Sequence, residues 1–428
     1  MAEQMKPSGI DWIGDVPQKW EITKLKYSTG IIMGQSPDSE LIKEDNGKFL
    51  FMQGNSEFTD MYPQPTLYCD HPNKISRIGD ILMSVRAPVG AMNISDKKYG
   101  IGRGLCSISA KKFDRKYLWY FMQKSREDFQ FYSNGSTFEA ITTENLLNFK
   151  TIIPPLSEQK AIAEHLDKQC AQIDSIIEDI EKQIEILQKY KKSLITETVT
   201  KGLDKTVLMK DSGIDWIGDV PKSWGIKRIK YISSLKGRIG WQGLTSDEYT
   251  DEGPYLITGI DFIDGRIDWE NCVHITKERW EEAPEIHIKN GDLLITKDGT
   301  VGKVAIVDRL EGKASLNSGV LLIRTIDGFN KRFLFWVLQS EEFWTWFRLK
   351  NAGNSTIIHL YQRDFEEFSY TFPSEEEQQQ IADFLNEHCS KINNIVLLKQ
   401  QQLETIKQHK KSLIYEYVTG KKRVKEAL

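Results

Sequence analysis

The chain is poor in the residues that build metal and redox chemistry. Its 428 residues include five cysteines and seven histidines. Cys69, Cys106, Cys170, Cys272 and Cys389 form no C-x-x-C pair, and their number is odd, so a zinc ribbon and a disulfide framework are both disfavoured. His71, His165, His274, His287, His359, His388 and His409 stand at no metal-ligand spacing. No run reaches the ~18 apolar residues that cross a bilayer. Met1-Ala2-Glu3-Gln4-Met5-Lys6 lacks the apolar core of a secretion signal, so a cytoplasmic location without membrane contact is expected. Complete catalytic motifs are missing too. Gly299-Thr300-Val301-Gly302-Lys303 fails as a phosphate loop because its glycines are too close and Val304 follows the lysine. Ile101-Gly102-Arg103-Gly104 lacks the third glycine of a dinucleotide fingerprint, and the Asn-Pro-Pro-aromatic motif of amino-methyltransferases is absent.

Net positive charge is also lacking: the formal charge is −4, with 39% hydrophobic and 28% charged residues. Contact with a polyanion then has to come from local patches. The candidates are Lys97-Lys98 with Arg103, Lys111-Lys112 with Arg115-Lys116, and Lys227-Arg228 with Lys230, Lys236 and Arg238.

What the chain does have is duplication. Ser8-Gly9-Ile10-Asp11-Trp12-Ile13-Gly14-Asp15-Val16-Pro17 recurs letter for letter as Ser212 to Pro221, and Trp20 recurs as Trp224. A second repeat, offset by 219, pairs Glu158-Gln159 with Glu377-Gln378 and Lys191-Lys192-Ser193-Leu194-Ile195 with residues 410–414. Two related halves follow: an opener plus variable domain at 1–153, a long helix at 154–203, a second opener plus variable domain at 204–372, and a second long helix at 373–428.

The helical stretches carry apolar residues in alternating steps of three and four, the mark of a coiled-coil seam. The first seam runs through Leu166, Ile173, Ile177, Ile180, Ile184, Leu187 and Leu194. The second runs through Leu385, Ile392, Val396, Leu403, Ile406 and Leu413, interrupted at Lys399. Ser157 is the expected cap of the first helix and Ser374 with Glu377 a capping box for the second, while Gly202 and Gly420 suit helix ends. About 43 residues at 1.5 Å each give a rod of roughly 65 Å. The expected fold is mixed α/β: two α/β domains at opposite ends of an antiparallel two-helix coiled coil, with internal pseudo-two-fold repetition.

The variable middles share a skeleton but not its tips. Gly79-Asp80-Ile81-Leu82 matches Gly291-Asp292-Leu293-Leu294, Val89-Gly90 matches Val301-Gly302, and Gly104 matches Gly319. After the shared strand one copy reads Val85-Arg86-Ala87-Pro88 and the other Lys297-Asp298-Gly299-Thr300. Base edges are told apart by their donors and acceptors. Candidate DNA-binding residues are therefore Gln53, Asn55, Arg86, Lys97, Lys98, Arg103, Ser136 and Thr137 in the first domain. In the second they are Thr258, Lys297, Asp298, Thr300, Asn317, Ser318, Ser355 and Thr356.

Opener, variable domain, Pro154-Pro155-Leu156-Ser157-Glu158-Gln159 leading into a long helix, then a second round: this order resembles the specificity (HsdS) subunits of type I restriction–modification systems. The resemblance covers nearly the whole chain, although Pro373-Ser374-Glu375-Glu376-Glu377-Gln378 keeps only the Pro, Glu and Gln of the first entry. It implies a non-catalytic subunit that binds double-stranded DNA, each middle being a target recognition domain for one half of a split, asymmetric site. It also implies that the coiled coil sets the unread gap and docks two methyltransferase subunits. S-adenosylmethionine would come on those partners and ATP with magnesium on restriction translocase–nuclease subunits, none being bound by this chain. The alternatives are a coiled-coil scaffold or regulator that binds DNA without a split motif, and a self-sufficient methylase or nuclease.

Overall fold

The computed structural model describes residues 4–133, 140–239, 243–352 and 359–424, with side chains left out at 130–133. By internal contacts the chain forms two compact units. One comprises Met1–Ile180 with Gln401–Leu428, the other Glu181–Gln400. Each unit thus joins one variable domain to part of both long helices.

The two domains are built on one plan. In the first, strands Thr29–Met33, Leu105–Ala110, Ile81–Ser84 and Met92–Ile94 lie side by side in that order, all antiparallel. In the second the order is Ser233–Gly237, Val320–Thr325, Leu293–Thr296 and Val304–Ile306, again all antiparallel. The G-D doublet starts the same strand in both. Asp80 accepts the backbone N–H of Arg77 at 3.0 Å and the hydroxyl of Ser107 at 2.5 Å. Asp292 accepts the N–H of Lys289 at 2.8 Å and a two-pronged bond from Arg324. A buried carboxylate needs such donors, which explains why this aspartate stays while its surroundings change.

A second, smaller sheet sits beside each main one. It contains a parallel pair, Phe49–Met52 with Tyr99–Ile101 in the first domain and Thr250–Ile257 with Ala314–Leu316 in the second. The openers form matching two-strand ribbons, Met5–Pro7 on Asp15–Pro17 and Met209–Asp211 on Asp219–Pro221.

The long helices span Leu156–Lys201, 46 residues, and Glu375–Val418, 44 residues. The second shows half of the expected capping box: Glu377 N–H donates to Ser374 Oγ at 3.3 Å, while the Glu377 carboxylate turns to Trp224 instead of the Ser374 backbone. The first starts at Leu156, before Ser157, so Ser157 is inside the helix and is not its cap. Gly202 and Gly420 follow the helix ends with φ of 75° and 74°. At Gly420 a Cβ would also lie 2.5 Å from Pro17 Cδ, so both the φ and the space require glycine.

Within each unit the helices pair antiparallel. In the first, the rings of His165 and Tyr417 approach to 4.5 Å, and Lys410 reaches Asp174 at 2.5 Å. In the second, Lys191 donates to Asn393 at 2.7 Å and Lys399 to Gln183 at 2.5 Å. The lysine that interrupts the seam at 399 is thereby satisfied across the pair. Leu166, Ile173, Ile180, Leu385, Ile392 and Leu413 are buried. Ile177, Ile184, Leu187, Leu194, Val396, Leu403 and Ile406 are half-buried. Near its end the first helix turns another face inward: Ile195 and Val199 are buried in the core of the second domain, and Leu194 packs half-buried against it. All five cysteines are free and buried, Cys170 and Cys389 among them, as small apolar fillers.

The Glu-Gln doublet at each helix start has two tasks. Glu158 Oε2 accepts the indole N–H of Trp20 at 3.1 Å, and Glu377 Oε2 that of Trp224 at 2.8 Å. Gln159 accepts the N–H of Asp114, the cap of the aromatic helix Arg115–Lys124, and donates to Pro154 O. Gln378 does the same with Asn330, the cap of Lys331–Val337, and Pro373 O.

One buried group carries a cost. Glu342 is fully buried; Oε1 accepts from Thr371 N–H at 3.2 Å, while Oε2 has no hydrogen-bond partner. Burial pushes its carboxyl from an ordinary 4.5 up to about 8. The folded form then holds the proton more tightly than the unfolded one. Its stabilising contribution is complete below about pH 4.5 and is lost as the pH rises toward 8. Glu342→Gln should therefore leave thermal stability at pH 9 above that of the wild type and flatten its decline between pH 5 and 9. Calorimetry at both pH values checks this.

Candidate nucleic-acid interface

The end of the shared strand gathers the loops of each domain. In the first, Val85 N–H donates to Gly104 O at 2.9 Å, and Val85 O accepts from Ile141 N–H at 2.9 Å. Gly102 N–H bonds Met52 O, and Gly104 N–H bonds Gln53 O. Gln53 Nε2 donates to Ser36 Oγ at 2.6 Å, and the Arg103 backbone reaches the same hydroxyl at 3.4 Å. Gly34 closes the set: a Cβ there would stand 2.1 Å from Gly102 O. Gln53, Asn55, Arg86 and Arg103 thus share one edge, with both arginines exposed.

The second domain repeats three of the backbone bonds. Lys297 N–H donates to Gly319 O at 2.8 Å, Lys297 O accepts from Leu360 at 2.9 Å, and Asn317 N–H bonds Ile257 O at 2.9 Å. Thr258, Lys297, Asp298, Thr300, Asn317 and Ser318 come together here. They do not have equal freedom. Asn317 donates to Tyr249 Oη at 3.1 Å and accepts from Ser318 Oγ at 2.9 Å, so its amide is spent holding the loop. Thr258 is tied to Asp261 through both N–H and hydroxyl; burial pushes the Asp261 carboxyl up, against the pull of those two bonds. Lys297, Asp298 and Thr300 lie at the surface or near it, Asp298 in contact with His359, and Thr300 and Lys303 both reach Gly259 O at 3.4 Å.

Other expectations separate from this edge. Lys97 and Lys98 precede strand Tyr99–Ile101 whereas Arg103 follows it, and Ser95 N–H bonds Asp80 O at the start of Ile81–Ser84. The lysine pair therefore lies at the far end from Arg86. Arg238 is a correction: it is buried, bonded to Leu316 O at 2.7 Å and Ser315 Oγ at 2.9 Å, with burial lowering its pKa. Other members of the basic patches are held in local ion pairs, Lys112 with Glu21, Lys116 with Asp167, and Arg228 and Lys230 with Glu367. Ser136, Thr137, Ser355 and Thr356 lie outside the described residues. Sequence reasoning missed Ser36, Tyr249, Lys303 and His359. His359 was discoverable, because the 219 offset places it opposite Ala140.

Among the described residues no cluster suits a metal ion, and no helix is long and apolar enough to cross a membrane. The model of the type I restriction modification DNA specificity domain matches residues 17–186 and again 221–408. The chain belongs to this family. The MjaVIII type I restriction enzyme specificity subunit of Methanocaldococcus jannaschii is 24% identical over 422 residues, 96% of this chain and 94% of the relative. A protein described provisionally as the MjaX specificity subunit of the same organism is 40% identical over 193 residues, 44% of either chain. A solved chain from a study of assembly and conformational transition in a type I R-M system has a TM-score of 0.73 at 16% identity, covering 94% of this chain and 98% of its own. That likeness extends over both domains and both helices. The protein is thus a type I restriction–modification specificity subunit, and no catalytic family is indicated.

Arg238 and Arg103 should separate when each is changed to alanine. Arg238→Ala removes a buried hydrogen-bonded charge and should cost about 3 kcal/mol of stability or more, seen as a lowered melting temperature. Arg103→Ala should leave melting within about 0.5 kcal/mol and weaken DNA binding.

Proposed function

We propose that each domain reads one half of a split, asymmetric site on double-stranded DNA, and that the paired helices set the number of unread base pairs between the halves. The observation that carries this reading is one strand frame, repeated with its central backbone bonds, bearing unlike side chains at its tips: Arg86 and Arg103 in one domain, Lys297, Asp298 and Thr300 in the other. Hydrogen-bond character at such positions decides which base edge is accepted. In this reading the same helices dock two methyltransferase subunits that bring S-adenosylmethionine. Restriction subunits bring ATP, magnesium and strand cleavage, and the whole complex works in the cytoplasm. Reading one face of B-DNA places the half-sites roughly one turn, about 34 Å, apart. A scaffold that ignores sequence would have no use for two differently equipped tips on one frame.

Two experiments on the complex with its methyltransferase test this. Replacing residues 28–153 by the corresponding domain of another specificity subunit should change one half of the methylated motif and leave the other half and the gap intact; a change in both halves contradicts independent reading. Inserting one heptad after Ile180, matched by one after Lys399, lengthens the pair by ~10 Å. At ~3.4 Å per base step the gap should widen by about 3 bp. An unchanged gap contradicts the helical spacer.

A further inference from the structure

At one position the two tips differ in the sign of their charge, and their neighbours differ with them. Arg86 and Asp298 are each the second residue after the shared strand, because Val85 and Lys297 make the same two backbone bonds. Across from Arg86 lies Ala140, joined to it by an isolated antiparallel bridge. The residue equivalent to Ala140 is His359, since Ile141 and Leu360 donate to Val85 O and Lys297 O respectively. His359 Nδ1 lies in direct contact with Asp298 Oδ1, and its ring lies 4.4 Å from that of Tyr361. The small residue therefore accompanies the long cation, and the imidazole accompanies the short anion.

Resting on the split-site reading above, we infer that this position is the same specificity switch in both domains, set to opposite hydrogen-bond character. Arg86 offers donors only, and in the major groove the acceptor pair O6 and N7 marks guanine. Asp298 offers acceptors only, and the exocyclic N4 amine of cytosine is the donor it suits. An unsupported carboxylate near phosphates is repelled, and a free aspartate would sample several rotamers. A hydrogen bond from His359 Nδ1–H to Oδ1 would fix the side chain and leave Oδ2 to accept from a base. The carboxylate side chain keeps 40% of its surface exposed, so it is open to a ligand. His359 is a positioning residue, acting through Asp298. Ala140 leaves Arg86, which needs no such support, free to extend.

The test is the methylated motif written in cells by the complete modification complex, read position by position from genomic DNA. Asp298→Asn is isosteric, and one acceptor becomes a donor. It should reduce discrimination about 10–100-fold at a single G·C position of the half-site read by the second domain, with every position of the other half kept. His359→Ala should relax the same position, and His359→Asn, which retains a donor, should restore it. Arg86→Ala should relax one G·C position in the first domain's half. The inference is overturned if Asp298→Asn leaves every position specified or lowers methylation equally for all bases. It is also overturned if the relaxed position is an A·T pair, or if His359→Asn behaves like His359→Ala. These outcomes leave split reading intact so long as Arg86→Ala still acts in one half only. If variants in either domain disturb both halves, the split-site reading itself fails.

Discussion

Everything else in the structure depends on how the opener tryptophan is held. In each unit the indole of Trp20 or Trp224 donates to the glutamate in the first turn of its own repeat's helix. The opposite side of that tryptophan meets the terminating glycine of the other repeat's helix. A Cβ on Gly420 would lie 3.0 Å from the Trp20 ring, and one on Gly202 would lie 3.2 Å from the Trp224 ring. The neighbouring glutamine fixes the cap of the aromatic helix that carries the domain. Two adjacent side chains thus tie opener, domain and helix together. Burying these polar groups would cost roughly 1–3 kcal/mol each without partners, and each has one. The joint is therefore specific in geometry as well as stable.

A fixed joint leaves the far edge of each domain free to change. The antiparallel frame is held by backbone bonds that any residue can make, and by the buried aspartate at the start of the central strand. Side chains at the strand's other end carry no such duty unless, like Asn317, they brace a loop. This division of labour explains why two domains with the same bond pattern carry an arginine in one copy and an aspartate in the other.

The repeat architecture was legible in the sequence because periodicity and duplication are local signals. The heptad steps gave both helices, and the G-D-x-L match gave the central strand of each sheet. The second helix cap was readable from Ser374, although Glu377 serves Trp224 and does not complete a capping box. The first was not, because the helix already starts at Leu156, which leaves Ser157 as its second residue, two positions past the cap. Arg238 was misjudged for a physical reason: composition shows a cation but not the carbonyl of Leu316 that takes it inside. Only the grouping of Lys97-Lys98 with Arg103 fails, because nearness in sequence spans a strand and so reverses the end of the sheet. At the loop edge of each domain, most candidates were chosen from the contrast between the copies. His359 escaped because its partner lies 61 residues earlier, a pairing that only the fold creates.

The central claim is that one repeated frame carries two independent readers. The most direct measurement of it is the set of bases methylated in a genome modified by the wild-type complex. Two unlike specified blocks, separated by a constant run of bases that take any identity, are the expected result. One uninterrupted block, or two halves identical by inversion, would contradict it.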